Sequence, residues 1–269
     1  MDSFPKDWDP RPYEGDSGYL PHARPRAAYA AMITRMDREV GRVLDLLKEL
    51  SLEQQTIVCF TSDNGPLYDK LGGTDTDFFN SAGEMRGRKG DYYEGGFHVP
   101  GIVSWPGHIE GGKTSARVVG AEDWFPTLLE LTGAKSSTPS GIDGVSFAPT
   151  LRGESQPERA FLYRESPGYG GQQTLRVGDW KVVRHNLNVR GNGKAKAKAA
   201  GGAKELLTKD RKPPTTDAVE LFDIAKDPYE TADLAAQHPE VVAKLSELLK
   251  AQHVKSEKWP IKALDGETK

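Results

Sequence analysis

The chain has 269 residues with 36 basic and 39 acidic side chains, so its formal net charge is −3 and it has no general attraction to nucleic acid. That length allows one large domain, or a large and a small one. A single cysteine, Cys59, excludes an intrachain disulfide and a cysteine-based zinc site. No apolar run approaches the length that spans a membrane, and Met1–Tyr13 has no hydrophobic signal core.

The first periodic segment predicts a long helix. Apolar side chains recur every three or four residues from Tyr29 to Leu50, and charged residues fill the other face. A short link leads to Thr56–Phe60, whose β-branched and apolar residues predict a buried strand that includes Cys59. Helix, short loop and strand are typical of a crossover unit, so we expect a mostly parallel sheet flanked by helices up to about Arg152.

A polar turn, Asp63-Asn64-Gly65, follows this strand directly. Ligands bind at the carboxyl ends of strands in open α/β sheets, and side-chain oxygens are the donors that calcium and magnesium prefer. Asp63 and Asn64 are therefore candidate metal ligands. The same residue types also form turns that have no function, and this segment alone does not choose between the two interpretations.

Three basic residues, Arg86, Arg88 and Lys89, lie within four positions of the next loop, and Gly87 and Gly90 accompany them. Glycines let backbone N–H groups approach a ligand closely, which makes the loop a candidate anion site. A solvated basic loop is the alternative that composition alone favours.

The segment that follows mixes short strands with one helix. Gly101–Pro106 predicts a strand that ends at a proline, and Val118–Val119 predicts another. Asp123 can cap a helix from Trp124 through Leu131.

From about Ala160 the pattern changes to short strands joined by glycine-rich turns, which predicts a small antiparallel sheet. A final helix begins at Pro239. Residues 190–212 include a basic, low-complexity stretch that we interpret as a flexible surface insertion. It lacks the aromatic side chains that stack on bases, so we expect no nucleic-acid partner. The predicted strands are Phe161–Tyr163, Thr174–Val177, Trp180–Val183 and Val219–Phe222, with a hairpin turn at Gly178-Asp179.

Five motifs follow one another along the chain. Their order and spacing resemble the arylsulfatase-type sulfatases of the alkaline phosphatase superfamily, over nearly the whole sequence. The motifs are Thr61–Gly65, Arg86–Lys89, Glu94–Pro100, Trp105–Gly107 and Glu220–Leu234.

The resemblance implies a fold and a division of the chain. Residues 1–155 would be the C-terminal part of an alkaline-phosphatase-like α/β catalytic domain, with helices flanking a mixed sheet. Residues 156–269 would form a small subdomain, in which an antiparallel sheet carries a helix.

The resemblance also implies roles for single residues. In these sulfatases an Asp-Asn pair ligates one calcium ion, which assigns that role to Asp63 and Asn64. A lysine before the Glu-Gly-Gly segment contacts the sulfate, which assigns that role to Lys89. Both groups can hold the negative charge of a sulfate ester while the S–O bond breaks. The family often has Arg where this chain has His98, so the role of His98 stays open.

The motif that supplies the nucleophile in this family, Cys/Ser-x-Pro-x-Arg, has no copy in the part of the sequence that precedes Asp63. Cys59 lies in Cys-Phe-Thr-Ser-Asp, and Ser3 lies in Ser-Phe-Pro-Lys-Asp, which lacks the arginine. The acidic pair that completes the calcium site is missing as well. We therefore expect a fragment of a sulfatase, inactive alone, with an incomplete set of calcium ligands.

We expect the complete enzyme to hydrolyse a sulfate ester of a carbohydrate or an aryl compound, without a membrane partner. It would be periplasmic or extracellular if a preceding segment carried a signal peptide. One alternative is a non-catalytic remnant that binds sulfated glycans. Another is a zinc phosphatase or phosphodiesterase of the same superfamily, which has Asp-His where this chain has Asp63-Asn64.

Overall fold

The computed structural model describes residues 2–15, 19–68, 71–187 and 218–266. The predicted insertion at 190–212 lies outside these ranges. The helices are α1 (Pro25–Glu49), α2 (Glu94–Phe97), α3 (Trp124–Leu131), α4 (Ala148–Leu151) and α5 (Pro239–Gln252). The strands are β1 (Val58–Thr61), β2 (Gly101–Ser104), β3 (Leu162–Ser166), β4 (Gln172–Val177), β5 (Trp180–Arg184) and β6 (Val219–Asp223).

The chain forms two compact units. The first contains the described residues of Met1–Met36, Asn64–His98 and Tyr163–Lys269, and the second contains Asp37–Asp63 and Val99–Leu162. Each unit therefore draws on segments that are distant in sequence. The functional division at about residue 155 stays a prediction.

The sheet of the second unit has two strands, β1 and β2, which pair antiparallel with Val58 opposite Ser104. The prediction of mostly parallel strands is wrong for this pair. Parallel neighbours need a crossover connection, usually a helix, and the helix that lies between these strands in sequence, α2, has only four residues. Burial alternates along β1, and Cys59 is exposed rather than buried. Val118–Val119 forms no strand.

Helix α1 is present as predicted, but its apolar stripe is largely open to solvent. Met32, Val43 and Leu50, which belong to or directly follow the helix, are 69%, 58% and 57% exposed. Within α1, the buried residue is Ala27, which is 0% exposed. Among the described helices, including α1, none has both the length and the hydropathy that a membrane span requires.

Helix α3 spans Trp124–Leu131, and Asp123 stands at its N-cap as predicted. The carboxylate of Asp123 does not bind the first amides of this helix. It accepts hydrogen bonds from the N–H groups of Gly120 and Val145, each at 2.7 Å, and it pairs with Arg159 at 2.7 Å. Asp123 therefore ties the helix to a later loop of the second unit.

The predicted C-terminal sheet is confirmed in the first unit. Its strand order is β3-β4-β5-β6, and the β4–β5 and β5–β6 pairs are antiparallel. Val177 lies opposite Trp180 across the predicted turn at Gly178-Asp179. Helix α5 begins at Pro239, as predicted. The fully buried apolar side chains of this sheet and helix are Leu175, Val182, Val183, Leu221, Phe222 and Leu249.

An aromatic cluster joins this sheet to the segment that precedes α2. Tyr92 and Tyr93 pack with side chains from β5, β6 and the residues after β6, and Phe97 of α2 packs against them. The other members are Val183, Phe222 and Ile224. The basic loop of the sequence is therefore built onto the C-terminal sheet.

Gly65 permits a close backbone contact inside the first unit. Its N–H donates to the carbonyl of Gly96 at 2.8 Å, and a methyl group at Gly65 would lie 1.9 Å from the carbonyl oxygen of Gly95. We predict that Gly65→Ala lowers the free energy of unfolding by about 1–3 kcal/mol, because the two backbones must separate. Chemical denaturation measures this change.

Gly41→Ala is the control, because Gly41 lies inside α1 with open space where a methyl group would stand. Alanine is the better helix former, so this variant should gain about 0.5–1 kcal/mol. Equal stabilities for the two variants would contradict the close contact at Gly65.

Candidate active site

The basic loop, residues 86–93, is closed by backbone hydrogen bonds within the loop and to the first turn of α2. The N–H of Gly95 donates to the carbonyl of Arg86 at 2.7 Å, and the N–H of Asp91 donates to the carbonyl of Arg88 at 2.8 Å. Gly90 has a φ of 95°, a left-handed conformation that side-chain-bearing residues rarely adopt. The glycines that the sequence analysis singled out therefore set the shape of this loop.

The segment that begins with Asn64 runs beside the basic loop. The N–H of Gly65 donates to the carbonyl of Gly96, and the N–H of Lys89 donates to the carbonyl of Pro66, both at 2.8 Å. Asn64 donates from its own side chain to the carbonyl of Gly65 at 2.9 Å. The structure thus brings together the backbone segments of two predicted site residues, Asn64 and Lys89.

Asp63 is exposed, and it ends the second unit just before Asn64 begins the first. Within the described ranges, no three His, Cys, Asp or Glu side chains come together in a way that could hold a metal ion. Asp63 and Asn64 match calcium in the kind of donor, since both carry oxygen. They do not match it in number, since calcium takes about six to eight oxygens. These two residues alone therefore do not make a complete calcium site.

Arg86 is held by the protein itself. Its guanidinium pairs with the carboxylate of Glu220 at 3.3 Å and donates to the backbone carbonyl of Glu230 at 3.2 Å. The same group lies 3.8 Å from the ring centroid of Tyr93, a cation–π distance. Its charge is therefore neutralised inside the fold.

Arg88 is also engaged, whereas Lys89 is not. The guanidinium of Arg88 pairs with Asp77 at 3.1 Å and donates to the carbonyl of Gly87 at 2.8 Å. Lys89 is exposed, and its ammonium has no partner among the residues that the structure describes. Of the three bases, Lys89 is thus the one whose charge can be offered to an anion.

The group that anchors this loop was not predicted from the sequence. Lys181 of β5 is 2% exposed, and its ammonium pairs with Glu94 at 2.8 Å and with Glu230 at 2.9 Å. Glu230 is fully buried and accepts the backbone N–H of Glu94 at 2.6 Å. The three side chains fix the start of α2 against the C-terminal sheet.

The two carboxylates of this group differ in acidity. Burial disfavours the charge of Glu94, but the attraction and hydrogen bond of Lys181 outweigh it, so the pKa of Glu94 lies below its usual value. Burial dominates at Glu230 and raises its pKa, because Lys181 and the N–H of Glu94 compensate only in part. Lys181 therefore stabilises the charge of Glu94 more fully than that of Glu230.

Glu220 forms a second anchor. Besides Arg86, it accepts a hydrogen bond from the hydroxyl of Tyr93 and lies 3.6 Å from a ring nitrogen of His185. Glu220 and Glu230 both belong to the C-terminal motif, Glu220–Leu234, and the sequence of this motif does not indicate that it contacts residues near position 90. The one feature of the sequence that could have predicted this contact is the opposite charge of the acidic motif and the basic loop.

His98, whose role the sequence left open, follows α2 directly. Its N–H donates to the carbonyl of Glu94 at 2.7 Å and closes the helix. Its side chain is 59% exposed, with one ring nitrogen 3.9 Å from the Glu94 carboxylate. This backbone hydrogen bond gives His98 a structural role at the end of α2.

Two family models match the chain. The model named Sulfatase matches residues 3–134, and the model for the C-terminal region of N-sulphoglucosamine sulphohydrolase matches residues 88–184. Together they extend over Asp63, Asn64 and the basic loop, and over most of the described residues. The chain belongs to the sulfatase family.

Curated relatives and solved structures agree with the two models. Mouse steryl-sulfatase is 40% identical over 143 residues, which are 53% of this chain and 23% of that protein. The N-acetylgalactosamine-6-O-sulfatase of Bacteroides thetaiotaomicron is 31% identical over 232 residues, which are 82% of this chain and 40% of that protein.

A Bacteroides thetaiotaomicron sulfatase structure, described for the metabolism of multiple glycosaminoglycans, superposes with a TM-score of 0.63 at 29% identity. The match covers 80% of this chain and 42% of that one. The fold is thus the alkaline-phosphatase-like α/β fold of sulfatases, and this chain spans less than half the length of these relatives.

Lys181→Ala should destabilise this sulfatase-family chain strongly. Removal of the ammonium leaves two buried carboxylates without their cation, which costs about 3–5 kcal/mol in comparable buried pairs. The loss should shrink as the pH falls, because protonation then removes the uncompensated charge. Denaturant unfolding at several pH values measures both effects.

Arg42→Ala is the matched control, because Arg42 pairs with Glu39 at 2.6 Å on the exposed face of α1. An exposed pair of this kind contributes about 0–1 kcal/mol. If the Lys181 variant lost no more stability than the Arg42 variant, the anchoring role of Lys181 would be wrong.

Proposed function

We propose that this chain is the part of a sulfatase that holds the sulfate group of the substrate while a sulfate ester is hydrolysed to an alcohol and sulfate. One observation carries the proposal. Arg86 and Arg88 of the family motif are paired within the protein, and Lys89 is exposed with its ammonium unpaired among the described residues. An exposed ammonium on a backbone-fixed loop suits an anionic substrate.

Lys89 would contact the sulfate oxygens and balance their charge. Because charge grows on the leaving oxygen and the sulfate group as the S–O bond breaks, a fixed cation stabilises the transition state more than the bound ester. The hydrogen bond from the backbone N–H of Lys89 to the carbonyl of Pro66 fixes the backbone from which the Lys89 side chain extends. Lys89 would thus position the sulfate for attack.

Asp63 and Asn64 would contribute two oxygen ligands to one calcium ion, which supplies further positive charge at the sulfate when bound. We assign no nucleophile to the described residues. Although Cys59 as a residue is exposed, partial desolvation of its thiol raises the pKa of that group, which disfavours the reactive thiolate. We also propose that residues 1–155 belong to the catalytic domain and residues 156–269 to a subdomain that supports it.

We propose a sulfated carbohydrate as the substrate. A relative named for N-acetylgalactosamine-6-O-sulfate chemistry, which matches 82% of this chain, supports this choice. The structure described for glycosaminoglycan metabolism supports it as well. A steryl or aryl sulfate is the second candidate, favoured by the 40% identity to steryl-sulfatase over a shorter segment.

Lys89→Ala should lower kcat/KM for a sulfate ester by an amount equivalent to roughly 2–4 kcal/mol, as expected for the loss of one charged contact in the transition state. The measurement uses this chain joined to the N-terminal portion of a sulfatase that carries the nucleophile motif. Lys244→Ala is the control, because Lys244 is an exposed lysine on α5.

Arg86 and Arg88 are poor controls, since their loss would disturb the loop itself. A silent Lys89→Ala variant would refute the sulfate-contact role. A complete chain that binds sulfated sugar yet shows no hydrolysis would favour a non-catalytic binding module instead.

A further inference from the structure

Tyr169 has a backbone conformation that its residue type disfavours. It lies in the turn Gly168–Gly170 with a φ of 51° and a ψ of 34°, in the left-handed region. A bulky residue in this region is strained, and such strain clusters at functional sites. Glycines surround Tyr169 on both sides, so the sequence supplies strain-free residues at neighbouring positions but a tyrosine at this one.

The ring of Tyr169 lies on the basic loop. A methyl group at Gly90 would stand 2.5 Å from Cζ of Tyr169 and 2.8 Å from its Cε1, so the ring covers the backbone of the residue that follows Lys89. Gln172, at the start of β4, donates from its side chain to the carbonyl of Gly90 at 2.7 Å. The turn and the basic loop are therefore held together by a contact that does not involve the ring.

Packing on Gly90 does not bury Tyr169, which remains 58% exposed. Its hydroxyl makes no hydrogen bond within the described part of the chain. A large amphipathic ring, whose hydroxyl has no hydrogen-bond partner among the described residues, thus packs on Gly90, the residue that directly follows Lys89. Aromatic rings of this kind line ligand sites, where they offer an apolar face and one polar group.

We infer that Tyr169 is a substrate-binding residue that packs against the sugar ring whose sulfate group Lys89 holds. This inference rests on the proposed function of Lys89 and deepens it. A pyranose presents C–H groups that suit the face of the tyrosine ring, and hydroxyls that suit its polar tip. Tyr169 would therefore favour sulfated carbohydrates over free sulfate, and it would set how the sulfated ring is oriented.

The test is an NMR titration of the chain with two probes, N-acetylgalactosamine 6-sulfate and inorganic sulfate. Tyr169→Ala should weaken binding of the sulfated sugar by about three- to tenfold, the loss expected for one aromatic contact, and should leave inorganic sulfate unchanged. Tyr169→Phe should keep most of the sugar affinity. Lys89→Ala should weaken both probes.

Tyr19→Ala is the matched control. Tyr19 is 54% exposed, and its ring also covers a glycine, Gly72, which is not part of the basic loop. The Tyr19→Ala variant should bind both probes as tightly as the unchanged chain. Thermal unfolding should show that every variant is folded.

The outcomes separate the two proposals. If Lys89→Ala weakens both probes while Tyr169→Ala weakens neither, or weakens both equally, the inference about Tyr169 is wrong and the role of Lys89 stands. Binding of sulfate without any preference for the sulfated sugar would also overturn the inference. If Lys89→Ala changes neither probe, or the unchanged chain binds neither, the sulfate-contact role fails and the inference fails with it.

Discussion

The buried ammonium of Lys181, shared by two carboxylates, is the constraint on which the site depends. A lysine that is 2% exposed is tolerated only if its charge is matched. Glu94 and Glu230 match it at 2.8 and 2.9 Å, although they are far apart in sequence. The start of α2 and the C-terminal motif must therefore meet at β5, and the basic loop that precedes α2 is placed by this meeting.

Backbone contacts fix the basic loop in place, and acidic partners then leave only one of its three basic side chains unpaired among the described residues. Gly65 and Gly96 allow the segment after β1 to bond directly to the loop. Acidic partners neutralise Arg86 and Arg88, so the loop is basic in sequence but offers chiefly one charge, that of Lys89. A folded protein can use like charges for different purposes in this way. Two arginines stabilise the loop, and the lysine remains for a ligand.

Local patterns predicted most of the C-terminal sheet and both long helices, because hydrophobic periodicity and turn-forming residues act over a few positions. These patterns did not predict contacts between segments that are distant in sequence. The antiparallel pairing of β1 with β2 and the contacts of Glu220 and Glu230 depend on where separate segments meet. The apolar stripe of α1 shows the same limit, since periodicity predicted the helix but not that Met32 would be exposed.

Amide hydrogen exchange of the basic loop tests the central claim most directly, namely that buried acids of the C-terminal motif hold the loop that presents Lys89. The amides of Gly65, Lys89 and Gly95 donate to backbone carbonyls and should exchange slowly. In Glu230→Gln they should exchange faster, while the amides within the β4–β5 hairpin should be unaffected. Fast exchange of the three amides in the unchanged chain, or rates that the substitution does not alter, would contradict the account.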